Sequence, residues 1–252
     1  MSYNPAMRAH AGTLVWRTGG SRMLAGYHRP AGPAGRRFPA VLFLHGFPGA
    51  EKSVDVQREL MARGVASVAP HFLGAWGSGG LYRFSTLTAQ ARAALRAARR
   101  LEFVDARRLA VYGFSMGGWT ALNLAAREPG LRAVVAVSPM GGPECADAGT
   151  RAFLARLSRP LNAPPAAVLR EDFRRALFRF DPARAVASSR APLLLVHGQD
   201  DEVVPPSVSR CLARRAAGPV RLRLLRGAGH DFLECRPRLA RLAADFLCER
   251  LA

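Results

Sequence analysis

Short runs of almost continuous apolar residues recur along the chain, and they constrain its fold more than any other feature. The runs are Phe38–His45, Val65–Pro70, Leu109–Gly113, Ala133–Ser138, Pro192–His197 and Val220–Leu225. A strand that is apolar on both faces needs a covering layer on each side, which a parallel sheet between two layers of helices provides. Two earlier extended segments, Leu14–Arg17 and Arg22–His28, flank a Gly-Gly turn and are typical of a β-hairpin. Together the runs predict eight strands.

Helical patterns fill the intervals between these strands. In Leu87–Leu101 the apolar residues recur with helical spacing, and the arginines between them lie on the opposite face. The segments Val54–Arg63, Trp119–Arg127 and Arg238–Leu251 are also predicted to be helical. Strands that alternate with helices predict an α/β fold, here a mostly parallel eight-stranded sheet flanked by helices.

One interval is too long for an ordinary crossover. Roughly fifty residues separate the strand that ends near Ser138 from the strand that begins at Pro192, well beyond the usual length of a connection. This interval contains two amphipathic stretches, one around Phe153 and Leu157 and the other around Leu169 and Phe173. We therefore expect a helical insertion at this point of the sheet.

The composition adds a strong positive charge. The 252 residues include 37 Lys and Arg against 18 Asp and Glu, a formal net charge of +19, and all the basic residues except Lys52 are Arg. The arginines are dispersed from Arg8 to Arg250 instead of being clustered, which is more typical of a solvated surface than of a nucleic-acid site. We therefore expect no nucleic-acid partner.

Membranes, metals and disulfide frameworks have no clear signal in the sequence. No apolar run approaches the roughly 18 residues of a membrane span, and Met1–Arg17 lacks the apolar core of a signal peptide. The four cysteines form no CxxC pair. We expect a cytoplasmic protein with no membrane partner and with neither a metal nor another cofactor.

The strongest chemical signal is the G-x-S-x-G pattern at Gly113–Gly117. It directly follows a predicted strand and opens a predicted helix. A serine at such a strand-to-helix turn is exposed at the edge of the sheet and lies at a helix N-terminus, which favours developing negative charge. Glycines two residues before and after it leave room for the tight turn. The pattern predicts that Ser115 is a nucleophile.

A serine hydroxyl needs a base, and the base needs a carboxylate that orients it. His230 lies in a loop just after the last predicted strand, at the edge where open α/β sheets gather their sites. The segment after the strand Pro192–His197 contains three consecutive acids, Asp200, Asp201 and Glu202. Residue chemistry alone leaves the choice between Asp200 and Asp201 open.

The order of serine, aspartate and histidine resembles that of the α/β-hydrolase superfamily. The sequence HGFPG at His45–Gly49 is similar to the HGxxG oxyanion loop of that superfamily, and HGQDDEVVP at His197–Pro205 is similar to its HGxxDxxVP signature, which assigns the triad acid to Asp201. The layout further resembles compact bacterial esterases of the cinnamoyl/feruloyl type, and the catalytic domains of prolyl-oligopeptidase-like peptidases and of dienelactone-hydrolase relatives. The resemblance extends from about Val41 to the C-terminus.

The resemblance has structural implications for the rest of the chain. It implies that residues 1–252 form a single domain and that residues 141–190, approximately, form a small helical cap between the sixth and seventh strands. It also implies that the backbone N–H groups of Phe47 and Met116 form an oxyanion hole. We expect one or two of the Phe and Leu side chains of the cap to face the site.

The activity implied by the resemblance is the hydrolysis of small-molecule carboxylic esters through an acyl-enzyme, without a cofactor. A serine peptidase of the aminopeptidase or acyl-peptide type is the alternative. Its free-amine pocket would need acids from the insertion, and the candidates are Glu144, Asp147, Glu171 and Asp172. A polyanion-binding protein with an incidental hydrolase fold is a more remote alternative.

Overall fold

The structure is a computed structural model that describes residues 6–145 and 150–252. Its main sheet has eight strands: β1 (His10–Thr18), β2 (Ser21–Arg29), β3 (Phe38–Leu44), β4 (Ala66–Pro70), β5 (Val104–Phe114), β6 (Ala133–Val137), β7 (Leu193–Gly198) and β8 (Val220–Leu225). A separate two-residue ladder pairs Ala6–Met7 with Gly32–Pro33. All eight predicted strands are therefore present in the sheet.

The strand order across the sheet is β8-β7-β6-β5-β3-β4-β2-β1. Strands β3 to β8 pair in parallel, whereas β2 runs antiparallel to both β1 and β4. Strands β1 and β2 form the predicted hairpin, with Thr18 opposite Ser21 and a Gly-Gly turn between them. The predicted mostly parallel α/β fold is confirmed.

Eight helices accompany the strands in the described part of the chain. They are α1 (Val54–Ala62), α2 (Leu87–Ala98), α3 (Met116–Ala125), α4 (Thr150–Leu157), α5 (Ala166–Arg179), α6 (Pro182–Ser188), α7 (Ser207–Arg215) and α8 (Arg236–Leu251). Short 3₁₀ turns occupy Phe84–Thr86, Pro143–Cys145 and Leu233–Cys235. The helices lie on both faces of the sheet, so the central strands are buried on both sides as their composition requires.

The two faces of the sheet belong to separate apolar clusters. Helices α1 and α8 pack on one face, where Val56 and Leu247 are fully buried. Helices α2, α3 and α7, together with the helices of the insertion, pack on the other face around Trp119, which is also fully buried. The arginine-bearing face of α2 points away from this core, since its buried residues include Ala91, Ala94 and Leu95.

Several element boundaries differ from the sequence prediction. Strand β5 begins at Val104, earlier than predicted, and α3 begins at Met116 instead of Trp119. Helix α6 was missed because it spans only seven residues, although Asp181 before Pro182 is a typical helix start and its carboxylate accepts the N–H of Ala183. Helix α7 was also missed, because only Ser209 and Leu212 of its nine residues are buried.

The insertion is built from α4, α5 and α6, which lie between β6 and β7 as expected. The amide of Asn123 in α3 donates to the carbonyl of Phe180 at the end of α5, with 2.9 Å between the atoms. The ring of Trp119 contacts the ring of Phe180 edge-on at a centroid distance of 5.9 Å. These contacts attach the insertion to the helix that follows Ser115.

No helix of residues 6–145 and 150–252 combines the length and the apolarity needed to cross a membrane. No group of three His, Cys, Asp or Glu side chains in the same residues is arranged to hold a metal ion, and the absence of a metal cofactor stays a prediction. Cys211, Cys235 and Cys248 form no disulfide and are partly buried.

The contact between Asn123 and Phe180 generates a stability prediction. Asn123→Leu preserves the side-chain volume but leaves the Phe180 carbonyl without this donor in a buried site. We expect the free energy of unfolding to fall by about 1–3 kcal/mol, as for other unsatisfied buried acceptors. Urea unfolding measures the change. Arg96→Leu, on the exposed face of α2, is the control and should change stability by less than about 0.5 kcal/mol; equal effects of the two substitutions would contradict the assignment.

Candidate active site

Ser115 lies at a strained turn between β5 and α3. Its φ of 53° is in the region that non-glycine residues rarely adopt, and the residue is buried with 6% of its surface exposed. A Cβ on Gly113 would lie 2.1 Å from the Gly117 carbonyl oxygen, and a Cβ on Gly117 would lie 1.9 Å from the Leu44 carbonyl oxygen. Only glycine fits at these two positions, and the close approach brings the end of β3 against the serine turn.

The structure brings together the three residues that the sequence proposed for catalysis. The Oγ atom of Ser115 lies 3.1 Å from Nε2 of His230. The Nδ1 atom of the same ring lies 2.8 Å from Oδ2 of Asp201. Because Asp201 accepts the Nδ1 proton, Nε2 is left free to accept the proton of the Ser115 hydroxyl. This chain of hydrogen bonds has the geometry that a nucleophile, a base and an orienting carboxylate require.

The structure also distinguishes between the neighbouring acids. Asp201 is buried, whereas Asp200 and Glu202 are exposed. Its second oxygen, Oδ1, accepts the backbone N–H groups of Val203 and Val204 at 2.9 and 2.8 Å. Burial by itself raises the pKa of Asp201, but hydrogen bonds from His197, from His230 and from the backbone outweigh burial and hold the pKa well below its ordinary value.

His197 contacts Asp201 from behind, a contact that sequence reasoning missed. The ring is fully buried, and Nε2 lies 3.2 Å from Oδ2 of Asp201 and 2.9 Å from the Val204 carbonyl oxygen. On the other side of the ring, Nδ1 lies 2.7 Å from Oγ of Ser209 and accepts its proton. In the sequence, only the position of His197 four residues before Asp201 hints at this contact.

The HGFPG loop runs directly past the nucleophile. A Cβ on Gly46 would lie 3.3 Å from Cβ of Ser115. The next residue, Phe47, lines the same cavity as Ser115, and so does Met116. Met116 is the first residue of α3, where backbone N–H groups have no partner within the helix. The two predicted oxyanion-hole residues therefore flank Ser115, and their role as donors stays a prediction.

His45 supports this loop from inside the protein. Its Nε2 accepts the backbone N–H of Phe72 at 3.1 Å, and its Nδ1 lies 2.7 Å from the Gly46 carbonyl oxygen. Burial lowers the pKa of His45 to about 4, so the ring is neutral near pH 7. The indole N–H of Trp76 donates to the Pro48 carbonyl at 2.9 Å. This hydrogen bond connects the glycine-rich loop at residues 74–80, which follows β4, to the HGFPG loop.

An apolar cavity of about 210 Å³ opens beside Ser115 and His230. Its remaining lining residues are Phe47, Phe84, Met116, Met140, Phe153, Leu154, Arg156, Leu157, Phe173 and Val203. Four of them, in α4 and α5, are Phe or Leu side chains of the insertion, more than the one or two expected. The insertion therefore forms one wall of the site and helps to separate it from water.

The acids considered for a free-amine pocket do not line this cavity. Asp172 accepts the hydroxyl of Ser85, and Glu171 pairs with Arg174 and Arg175 on the outer face of α5. Glu144 accepts the backbone N–H of Gly142 at 2.7 Å and is exposed. The fourth candidate, Asp147, lies outside the described residues.

Comparison with known proteins agrees with this geometry. The sequence model of the prolyl oligopeptidase family, Peptidase_S9, matches residues 53–252. The chain belongs to this family. It is a serine hydrolase with the α/β-hydrolase fold, as the resemblance of its motifs indicated. The matched region contains Ser115, Asp201 and His230, whereas the HGFPG loop precedes it.

The individual proteins that this chain resembles are distant in sequence. The protein Rv2307c of Mycobacterium tuberculosis is 29% identical over 219 residues, which cover 86% of this chain and 72% of the relative. The structure of Est1E from Butyrivibrio proteoclasticus superimposes with a TM-score of 0.77 at 22% identity, covering 95% of this chain and 98% of that one. A puromycin-hydrolyzing peptidase of Mycobacterium tuberculosis superimposes with a TM-score of 0.72 at 23% identity, covering 97% of this chain and 39% of that one. Est1E and the puromycin-hydrolyzing peptidase therefore share the fold of this chain.

The contact between Gly117 and Leu44 generates a prediction for the serine turn. Gly117→Ala places a methyl group on the Leu44 carbonyl and forces α3 away from β3. We expect a loss of about 1–3 kcal/mol in stability and roughly a hundredfold loss of hydrolysis, since Ser115 moves relative to its partners. Thermal unfolding and ester hydrolysis measure the two effects. Gly130→Ala is the control, because its Cβ would meet no atom within 4 Å; a Gly117→Ala protein that behaves like this control would refute the packing argument.

The contact between His197 and Asp201 generates a prediction with a pH signature. A carboxyl whose folded-state pKa lies below its ordinary value of 3.8 stabilises the protein above that value, and the contribution is lost as the pH falls. His197→Phe removes a donor from Asp201 and raises its folded-state pKa. Near neutral pH we expect the free energy of unfolding of His197→Phe to be about 2–3 kcal/mol lower than that of the wild type. This difference should narrow as the pH falls through the raised pKa of Asp201 in the variant.

Urea unfolding at several values from about pH 7 to as far below about pH 3 as the protein remains folded measures this pH dependence. Ser209→Ala is the matched control, because it removes the other partner of His197 and leaves the contact with Asp201 in place. The difference in unfolding free energy between Ser209→Ala and the wild type should be the same at every pH. A deficit of His197→Phe that is equally independent of pH would show that the ring acts by packing alone.

Proposed function

We propose that this protein hydrolyses carboxylic esters of small molecules through an acyl-enzyme formed on Ser115. The observation that carries the proposal is the hydrogen-bond chain from Ser115 through His230 to the buried Asp201, at the wall of an apolar cavity. An apolar cavity next to a nucleophile suits the acyl or alcohol part of an ester. The strained turn at Ser115 and the helix N-terminus behind it support the same chemistry.

In the first half of the proposed cycle, Ser115 attacks the ester carbonyl while Nε2 of His230 takes its proton. The carbonyl oxygen becomes an oxyanion, which accepts hydrogen bonds from the backbone N–H groups of Phe47 and Met116. A single donor of this kind typically contributes about 3–4 kcal/mol to the transition state. His230 then donates its proton to the leaving alcohol, and the acyl group remains on Ser115.

In the second half, His230 takes a proton from a water molecule, which attacks the acyl carbonyl. The second oxyanion collapses, the carboxylic acid leaves, and the proton returns to Ser115. Asp201 stays ionised throughout and stabilises the imidazolium form of His230. Its low pKa supports this role, because a carboxyl held ionised by four donors does not take the proton itself.

The cavity favours esters over peptides with a free amine. Among the described residues, its lining contains no carboxylate that would bind an ammonium group. Est1E, which shares the fold, is also known in a structure with bound ferulic acid, the product of hydrolysing a ferulate ester. Aromatic rings of Phe47, Phe84 and Phe153 beside Ser115 would suit an aromatic or a medium-length aliphatic acyl group.

A peptidase is the second candidate, because the family is named for an oligopeptidase and a puromycin-hydrolyzing peptidase shares the fold. The same hydrogen-bond chain serves amide hydrolysis, so the substrate pocket must make the distinction between esters and peptides.

We also propose that the protein acts in the cytoplasm. The absence of disulfides at the partly buried Cys211, Cys235 and Cys248 suits a reducing compartment.

Substrate panels for the wild type and Ser115→Ala test the proposal. We expect the wild type to hydrolyse 4-nitrophenyl butyrate and methyl cinnamate faster than aminoacyl-naphthylamides. Ser115→Ala should lower the activity toward esters by at least about 10⁴-fold, as the loss of a nucleophile does in other serine hydrolases. A fluorophosphonate probe should label the wild type and leave Ser115→Ala unlabelled.

Ser188→Ala is the matched control, since its hydroxyl is exposed and donates only to a helix carbonyl. It should retain both activity and labelling. Faster cleavage of naphthylamides than of esters would favour the peptidase. If Ser115→Ala hydrolysed esters as the wild type does, neither a serine esterase nor a serine peptidase at this site would remain tenable.

A further inference from the structure

One side chain in the wall of the cavity differs in kind from its neighbours. Arg156 lines the cavity from α4, next to Phe153 and Leu157. Phe153 lies three positions before Arg156 and is its neighbour on the helix surface, and all three residues line the cavity. Apart from Ser115 and His230, every other lining residue among the described ones is apolar. Arg156 is exposed as well as lining the cavity, so it lies where the cavity meets solvent.

The guanidinium group of Arg156 has no protein partner in the described part of the chain. It forms no hydrogen bond, ion pair or ring contact there, in contrast to other arginines of the insertion. Arg174 and Arg175 pair with Glu171, and Arg184 lies 3.7 Å from Asp181. An unpaired guanidinium at the mouth of an apolar cavity is available to a ligand.

The chemistry of this arrangement selects a particular ligand. A guanidinium group binds carboxylates through two parallel hydrogen bonds. A single cation balances a single negative charge, and a dianion such as a phosphate monoester would leave excess charge beside an apolar wall, which is costly. The apolar residues that line the rest of the cavity suit a hydrocarbon segment. The apolar part of the wall therefore matches the hydrocarbon segment of an extended monoanionic ester, and Arg156 matches its carboxylate.

We propose that the preferred substrates are esters that carry a carboxylate at the far end of an apolar segment, with Arg156 as the residue that binds the carboxylate. This inference rests on the proposed function of Ser115. Monoesters of dicarboxylic acids are one such class, in which the carboxylate lies on the acyl side. Esters of hydroxy acids are the other, with the carboxylate on the alcohol side.

Matched substrate pairs test the proposal. Methyl hexanoate and monomethyl adipate differ only in a terminal methyl or carboxylate group on the acyl side. Hexyl acetate and 6-acetoxyhexanoate differ in the same way on the alcohol side. We expect wild-type kcat/KM to be higher for the charged member of at least one pair. In Arg156→Gln this charged-to-neutral ratio should fall about tenfold, the effect of losing a charge-assisted contact that is partly open to solvent.

Arg159→Gln is the matched control, because Arg159 is exposed just beyond α4 and does not line the cavity. It removes the same charge from the overall field and should leave the ratio unchanged. Arg156→Glu should reverse the preference while the neutral esters are still hydrolysed. That retained activity also shows that the variants are folded.

Two results would overturn the inference. One is a charged-to-neutral ratio that is the same in the wild type and Arg156→Gln for both pairs. The other is an equal drop in Arg156→Gln and Arg159→Gln, which would assign the preference to the positive charge of the whole protein. Failure of the proposed function has a different signature, since neutral esters would then not be hydrolysed at all.

Discussion

The close contact of three backbone segments at the serine turn is the constraint on which the site depends. Gly113, Gly117 and the carbonyl of Leu44 meet at distances that exclude any side chain. Because β3 and β5 are neighbours in the sheet, this contact brings the end of β3 against the start of α3. It thereby sets the distance between Ser115 and the HGFPG loop. The positive φ of Ser115 is maintained by the same packing, since nothing in a serine side chain favours it.

The buried carboxylate of Asp201 is the second constraint on the site, because it joins His230 to the loop after β7. An ionised group away from water requires several donors, and Asp201 has them from His230, His197 and two backbone N–H groups. His197 lies near the end of β7, the two backbone N–H groups lie in the loop after β7, and His230 lies in the loop after β8. The carboxylate therefore positions His230 and holds two loops together at once, which couples the geometry of the base to the stability of the fold.

The high positive charge has less influence on the site than its size suggests. Several acids pair locally with arginines, and the excess positive charge is left dispersed over the surface. Arg236 pairs with Glu51 and Asp55, and Glu128 accepts from Arg92 and Arg99. Among the described arginines of the insertion, Arg156 is the one that lines the cavity, and its proposed role in substrate recognition rests on that position and not on the net charge of +19.

The amino-acid sequence by itself determined the class of fold and the identities of the chemical groups, because both depend on local pattern. Continuous apolar runs such as Ala133–Ser138 require a covered parallel sheet, and a serine between Gly113 and Gly117 after a strand requires the tight turn. Residue chemistry left Asp200 and Asp201 open, and the resemblance to the HGxxDxxVP signature pointed to Asp201. The contact of His197 behind Asp201 and the place of Arg156 in the cavity wall were decided only by the tertiary structure. The place of Arg156 depends on packing between segments far apart in the chain, and the contact of His197 depends on the conformation of the loop after β7, which the local pattern does not specify.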